Sequence, residues 1–188
     1  ILVDPVMADH GELYPVYSQD MAIGMARLCK KADIIVPNLT EAAFLLGEKY
    51  IGNNYNKDYI ETMLFRLAEL GPEKVVLTGV SYDDENLGAA SYDRSTGKIE
   101  YAFNKKNPSI FHGTGDVFAS TLLAGIMHNL SLNEAVKNNW KIISFIYDKN
   151  NLSGWAKHMI ETVKTEVNYT LTAQLLKELS GKEETSEL

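Results

Sequence analysis

A single cysteine, Cys29, stands in the whole 188-residue chain. No internal disulfide can form, and a reducing compartment, the cytoplasm, is the expected home. Cys29 falls among Met21, Met25 and Leu28 on a predicted helix, so buried packing rather than reactivity is its expected role. No apolar run approaches the ~20 residues that a membrane span needs. Positive charge is also short: 18 Lys and Arg against 25 Asp and Glu leave a formal net charge of −7. That balance argues against nucleic acid or an anionic membrane as partner. The four histidines, His10, His112, His128 and His158, have no metal-ligand spacing among them. No strand is followed by Gly-x-Gly-x-x-Gly, which argues against a dinucleotide-dependent dehydrogenase. The chain opens on Ile-Leu-Val-Asp-Pro, with neither an initiator Met nor a charged leader. It reads as a β-strand entered partway, with no signal peptide and with part of the fold missing upstream.

What is present is an ordinary globular composition, 45% hydrophobic and 23% charged, at a length that suits one domain or most of one. Ile1-Leu2-Val3 is a short β-branched run ending in Asp4-Pro5, which suits a buried parallel strand that delivers a carboxylate at its C-terminal end. Val6 to Gly11 reads as a loop bearing a second carboxylate, Asp9, and two acids past a strand end can hold a hydrated Mg²⁺ against phosphates. Ser18 caps a predicted helix running to about Lys31, with Met21, Met25 and Leu28 as its apolar face. Asp33 to Val36 is a second buried strand stopped by Pro37; Asn38-Leu39-Thr40-Glu41 then opens a short helix that Gly47 ends. Ile60, Met63, Leu64 and Leu67 keep the helical period between Asn56 and Leu70. Lys74 to Gly79 is a third buried strand ending at the Thr78 hydroxyl. Leu87–Tyr92 and Ile99–Phe103 form a predicted hairpin whose second arm alternates, hence an antiparallel edge with one exposed face. Ser131-Leu132-Asn133-Glu134 is a capping box, although the sequence from Asn138 onward does not continue the helix expected after it.

The most chemical stretch is His112-Gly113-Thr114-Gly115-Asp116, followed directly by an amphipathic run from Val117 to Gly125. Two glycines flanking a threonine let several backbone N–H groups point at one spot. The helix behind them adds its unpaired amides and positive dipole end, which makes an anion site for a transferring phosphoryl group. Asp116 on its rim can take a proton from an attacking hydroxyl. Taken alone, the same residues also suit a plain turn and a helix cap. The order of elements describes a three-layer α/β/α sandwich, a mostly parallel central sheet with an antiparallel hairpin. In such a sheet Asp4, Asp9, Asn38, Glu41 and Thr78 gather at one edge.

Asp4-Pro5-Val6-Met7-Ala8-Asp9, Pro37-Asn38-Leu39-Thr40-Glu41, Leu77-Thr78-Gly79 and Gly113-Thr114-Gly115-Asp116 occur in the order seen in the ribokinase-like superfamily. Over roughly residues 1–135 the chain most closely resembles its vitamin B6 branch, the pyridoxal/pyridoxamine kinases. The resemblance implies an ATP-dependent kinase that phosphorylates the 5′-hydroxymethyl group of pyridoxal, pyridoxamine or pyridoxine, with Mg²⁺. It implies that Gly113, Thr114 and Gly115 form the anion hole, and that Asp116 binds the substrate hydroxyl and acts as its base. It implies that Asp4, Asn38, Glu41 and Thr78 serve the nucleotide, and that Asp9 and Glu41 serve the metal. Small-molecule substrates and a homodimer follow from the same resemblance. Alternatives are a hydroxymethylpyrimidine or sugar kinase of the superfamily, or a non-catalytic nucleotide-binding fragment. Ala8 stands where the family usually has Gly, and the family's N-terminal half, which grips the pyridine ring, is absent. The chain is thus expected to be one partial kinase domain over residues 1–188, with an atypical segment at 136–188.

Overall fold

A computed structural model describes residues 1–106 and 113–147, with side chains through 139. The chain divides after Lys106 into two compact units.

The first unit is built on a five-stranded sheet in the order β1-β4-β5-β6-β7. Its strands are β1 (Leu2–Val3), β4 (Ile34–Ile35), β5 (Lys74–Val80), β6 (Asn86–Asp93) and β7 (Lys98–Lys105). β1 pairs with β4 and β4 with β5 in parallel, while β5–β6 and β6–β7 are antiparallel. Helix α1 (Gln19–Cys29) connects the first parallel pair; α2 (Leu39–Leu46) and α3 (Lys57–Glu69) connect the second. Parallel strands need such crossovers, and they leave all the strand C-termini at one edge. Val75, Val76 and Leu77 are all fully buried, as consecutive residues must be in a strand covered on both faces.

Local signals set the helix starts. Ser18, Asn38 and Asn56 are the N-caps of α1, α2 and α3, and each side chain accepts a hydrogen bond from the amide three residues on. Ile60, Met63, Leu64 and Leu67 are all buried, so the period read from the sequence faces the core as expected. α1 is a correction. Met21 and Leu28 are about half exposed, at 48% and 50%, and the buried residues of the helix are Ala22 and Cys29. Met25 packs against the core and Cys29 is buried, both as expected, while the small Ala22 lets α1 lie close and Met21 and Leu28 turn outward.

The region read as a loop after Asp4 also differs. It contains a minimal hairpin, β2 (Ala8–Asp9) against β3 (Glu12–Leu13), turning through His10 and Gly11. The second arm of the larger hairpin does not leave one face wholly exposed: Ile99 and Tyr101 pack against the core, and Ala102 on the opposite face is buried as well. Gly88, the register partner of Phe103, admits the close approach of that ring and of the ladder backbone: a Cβ on it would lie 2.4 Å from Phe103 Cδ1 and 2.2 Å from the Ala102 carbonyl oxygen.

In the second unit the described residues form α4 (Thr114–Met127) and α5 (Leu132–Tyr147). The capping-box helix therefore continues past Asn138, where the sequence reading had it fail. Its box is formed as expected, Glu134 accepting from the Ser131 amide at 3.0 Å. Asn139 supplies part of the reason for the continuation. Its side chain is buried, donates to the Phe118 carbonyl of α4 at 2.8 Å and accepts from the Thr121 hydroxyl. His112, His158 and the segment 148–188 lie outside the described residues. No helix among the described residues is long and apolar enough to cross a membrane.

Candidate active site

The first unit's candidate residues sit where the parallel strands end. Val3 and Ile35 are register partners, as are Ile35 and Val75. The residues that follow, Asp4, Asn38 and Thr78, therefore emerge at one sheet edge. Thr78 is held there twice. It forms an isolated parallel bridge with Asn38, in which its amide donates to the Pro37 carbonyl at 2.9 Å, and its hydroxyl donates to the same carbonyl at 3.4 Å. A register shift between Thr78 and Val80, with Gly79 at φ 76°, interrupts the pairing to β6 just beyond the hydroxyl, and Val80 resumes it opposite Gly88.

Asn38 and Glu41 form a reciprocal cap on α2. The Asn38 side chain accepts from the Glu41 amide at 2.9 Å, and Glu41 Oε2 accepts from the Asn38 amide at 2.8 Å. Each also reaches across the edge. Glu41 Oε1 accepts from the Met7 amide at 3.1 Å, and Asn38 Nδ2 donates to the Ala8 carbonyl at 2.9 Å. Glu41 is only 4% exposed, and burial pushes its carboxyl up to about 7. The amide bonds from Asn38, Met7 and Ala8 pull it back toward ionisation, and nearby Asp4 raises it further. Tyr14 registers the same acids: its hydroxyl is raised by burial first, then by Asp9, Glu41 and Asp4. Asp4, Asp9 and Glu41 are thus electrostatic neighbours, a set of hard carboxylate oxygens of the kind Mg²⁺ uses. Asp9 is exposed, with one oxygen accepting the His10 amide at 2.8 Å and the other 3.5 Å from His10 Nε2. Among the described residues no group of three or more His, Cys, Asp or Glu is arranged as a ready metal cage.

The remaining candidates open α4 in the second unit. Gly113 is its N-cap, left-handed at φ 79°, and no side chain caps the helix. The first-turn amides of Thr114, Gly115 and Asp116 therefore have no intrahelical acceptor. Asp116 is exposed and folds back over the turn, with Oδ2 3.9 Å from where a Cβ on Gly113 would stand. Helix amides and dipole point outward at a spot flanked by one carboxylate, which suits an anion and a proton acceptor together.

Two participants escaped the sequence reading. Thr40 is buried at 2% exposure, and its hydroxyl accepts from the Gly11 amide at 3.0 Å. Tyr14, directly after β3, lies within electrostatic reach of the acids, its amide donating to the Met7 carbonyl at 2.9 Å. The signal for Thr40 was present in Asn-Leu-Thr-Glu, but its partner is twenty-nine residues away, beyond any local pattern.

A family model described as phosphomethylpyrimidine kinase matches residues 1–158. Pyridoxal kinase of Dictyostelium discoideum is 28% identical over 182 residues, covering 89% of this chain and 56% of its own. The crystal structure of pyridoxal kinase from Lactobacillus plantarum superposes with a TM-score of 0.70 at 25% identity, covering 100% of this chain and 63% of that one. A Bacteroides thetaiotaomicron protein, provisionally named a phosphomethylpyrimidine kinase and crystallised with pyridoxal, superposes with a TM-score of 0.75 at 26% identity. That match covers 95% of this chain and 60% of the other. The chain spans about half the length of the curated relatives it matches. The fold is the ribokinase-like α/β fold.

Proposed function

Because the chain belongs to the phosphomethylpyrimidine kinase family, we propose that the protein carrying it transfers the γ-phosphoryl group of ATP to the 5′-hydroxymethyl group of a B6 vitamer. The observation that carries the reading is the start of α4, where uncapped amides and the Asp116 carboxylate share one turn. Asp116 binds the substrate hydroxyl and takes its proton as the oxygen attacks the γ-phosphorus. The bond from that phosphorus to the bridging oxygen breaks, and ADP leaves. The Gly113, Thr114 and Gly115 backbone faces the charge that develops on the phosphoryl oxygens. Asp4, Asn38, Glu41 and Thr78 receive the nucleotide side. The carboxylates of Asp9 and Glu41 fit Mg²⁺ in oxygen chemistry, and a cation would relieve the repulsion between Glu41 and neighbouring Asp4. When bound, the ion would neutralise phosphate charge. Small-molecule partners, a cytoplasmic location and a homodimer belong to the same proposal.

A second reading has its own observation: the family description names a phosphomethylpyrimidine rather than a vitamer. The experiment is ADP release by the protein that carries this chain, with Mg-ATP and pyridoxal, hydroxymethylpyrimidine or ribose as acceptor. The vitamer reading expects the highest kcat/KM with pyridoxal. Preference for hydroxymethylpyrimidine replaces it with the second reading. Binding of Mg-ATP without turnover on any alcohol overturns both in favour of a non-catalytic nucleotide-binding protein.

A further inference from the structure

The β2–β3 hairpin carries Asp9 and cannot hold its own shape. Each strand has two residues, and both turn residues have positive φ, His10 at 51° and Gly11 at 87°. A two-residue hairpin loop asks for this backbone, yet His10 has a Cβ and takes it at a cost. So short a ladder is not stable in water by itself. Its hold comes from the first turn of α2. Asn38 and Glu41 grip the stem at Ala8 and Met7, and Thr40 alone among them reaches the tip, where its buried hydroxyl accepts the Gly11 amide at 3.0 Å. On the other side the Tyr50 ring lies so close that a Cβ on Gly11 would meet its Cδ1 at 2.9 Å.

We infer that Thr40 is a positioning residue: by clamping the hairpin tip it fixes the direction in which Asp9 presents its carboxylate. The inference rests on the kinase reading for what Asp9 serves, and on geometry alone for the clamp. Thr40→Val keeps the shape and removes the acceptor; Thr40→Ser restores the acceptor.

Amide hydrogen exchange reads the clamp. In Thr40→Val, exchange at Gly11 and Glu12 is expected to quicken by about two- to tenfold, the range of one net hydrogen bond, while Ile60 to Leu64 in α3 stay unchanged. Thr40→Ser is expected to return to the unsubstituted rate. In the protein that carries this chain, Thr40→Val should raise the KM for Mg-ATP by a similar factor and leave the KM for the alcohol alone. Unchanged exchange at the hairpin overturns the inference. Quickened exchange with an unchanged KM for Mg-ATP overturns it too, by leaving Thr40 a purely structural residue. If the unsubstituted protein shows no turnover, the kinase reading has failed, and exchange still decides the clamp.

Discussion

Asn38 and Glu41 each accept the other's backbone amide, at 2.9 and 2.8 Å, and each also bonds the segment from Met7 to Ala8. A helix cap and a cross-chain tie are thus made by the same two side chains. The consequence is that a change at either residue acts on both the helix start and the sheet edge.

Glu41 gives the chain a pH-dependent stability. Its ordinary value is 4.5 and burial lifts it to about 7 in the folded state. Between those values the folded chain holds a proton that the unfolded chain has released. The contribution is therefore fully present below the lower value and is lost as pH rises through the higher one, by about 3 kcal/mol. Urea unfolding from pH 4 to 8 without Mg²⁺ should show this fall. Glu41→Gln should flatten it, and addition of Mg²⁺ should recover stability at the alkaline end.

Asn38 can be separated into its two duties. Asn38→Asp keeps an acceptor for the Glu41 amide but loses the donor to Ala8 and adds a carboxylate beside Asp4 and Glu41. We expect a loss of about 1–2 kcal/mol, seen as a lower urea midpoint with an unchanged slope. Asn38→Ala loses both duties and should cost more.

Gly88 is fixed by its neighbour across the ladder. Any Cβ would stand 2.2 Å from the Ala102 oxygen, which is backbone and cannot swing away. Gly88→Ala should destabilise by about 1–3 kcal/mol, the usual cost of overpacking, measured by thermal unfolding.

Cys29 is fully buried, and burial pushes its thiol up to about 11. Alkylation by iodoacetamide at pH 8 should therefore be slow in the native chain and should rise in step with unfolding as urea is added. Rapid labelling without denaturant would contradict the packing of α1.

Asp116 bears the proton transfer in the proposed reaction. Asp116→Asn in the protein that carries this chain should lower kcat by about 10²- to 10⁴-fold. The KM for Mg-ATP should hold, because the nucleotide side rests on other residues. A fall in kcat of less than about threefold would remove Asp116 from the role.

The sequence by itself determined whatever depends on near neighbours along the chain. Ser18, Asn38 and Asn56 mark helix starts because a cap needs only an acceptor and an amide three residues on. Ile60, Met63, Leu64 and Leu67 mark a buried face because the helical period puts them on one side. The order of strands and helices implied the parallel sheet, and with it one edge for Asp4, Asn38 and Thr78. Tertiary structure decided the rest. Cys29 is buried as its residue type led one to expect, but period alone could not say that α1 turns Met21 and Leu28 outward; that is a matter of how closely the helix approaches its neighbours. Nor could it find the hairpin of Ala8 to Leu13, whose backbone is held by side chains about thirty residues away. The raised carboxyl of Glu41 is likewise a product of burial, which exists only once the distant Met7 and Ala8 have closed over it.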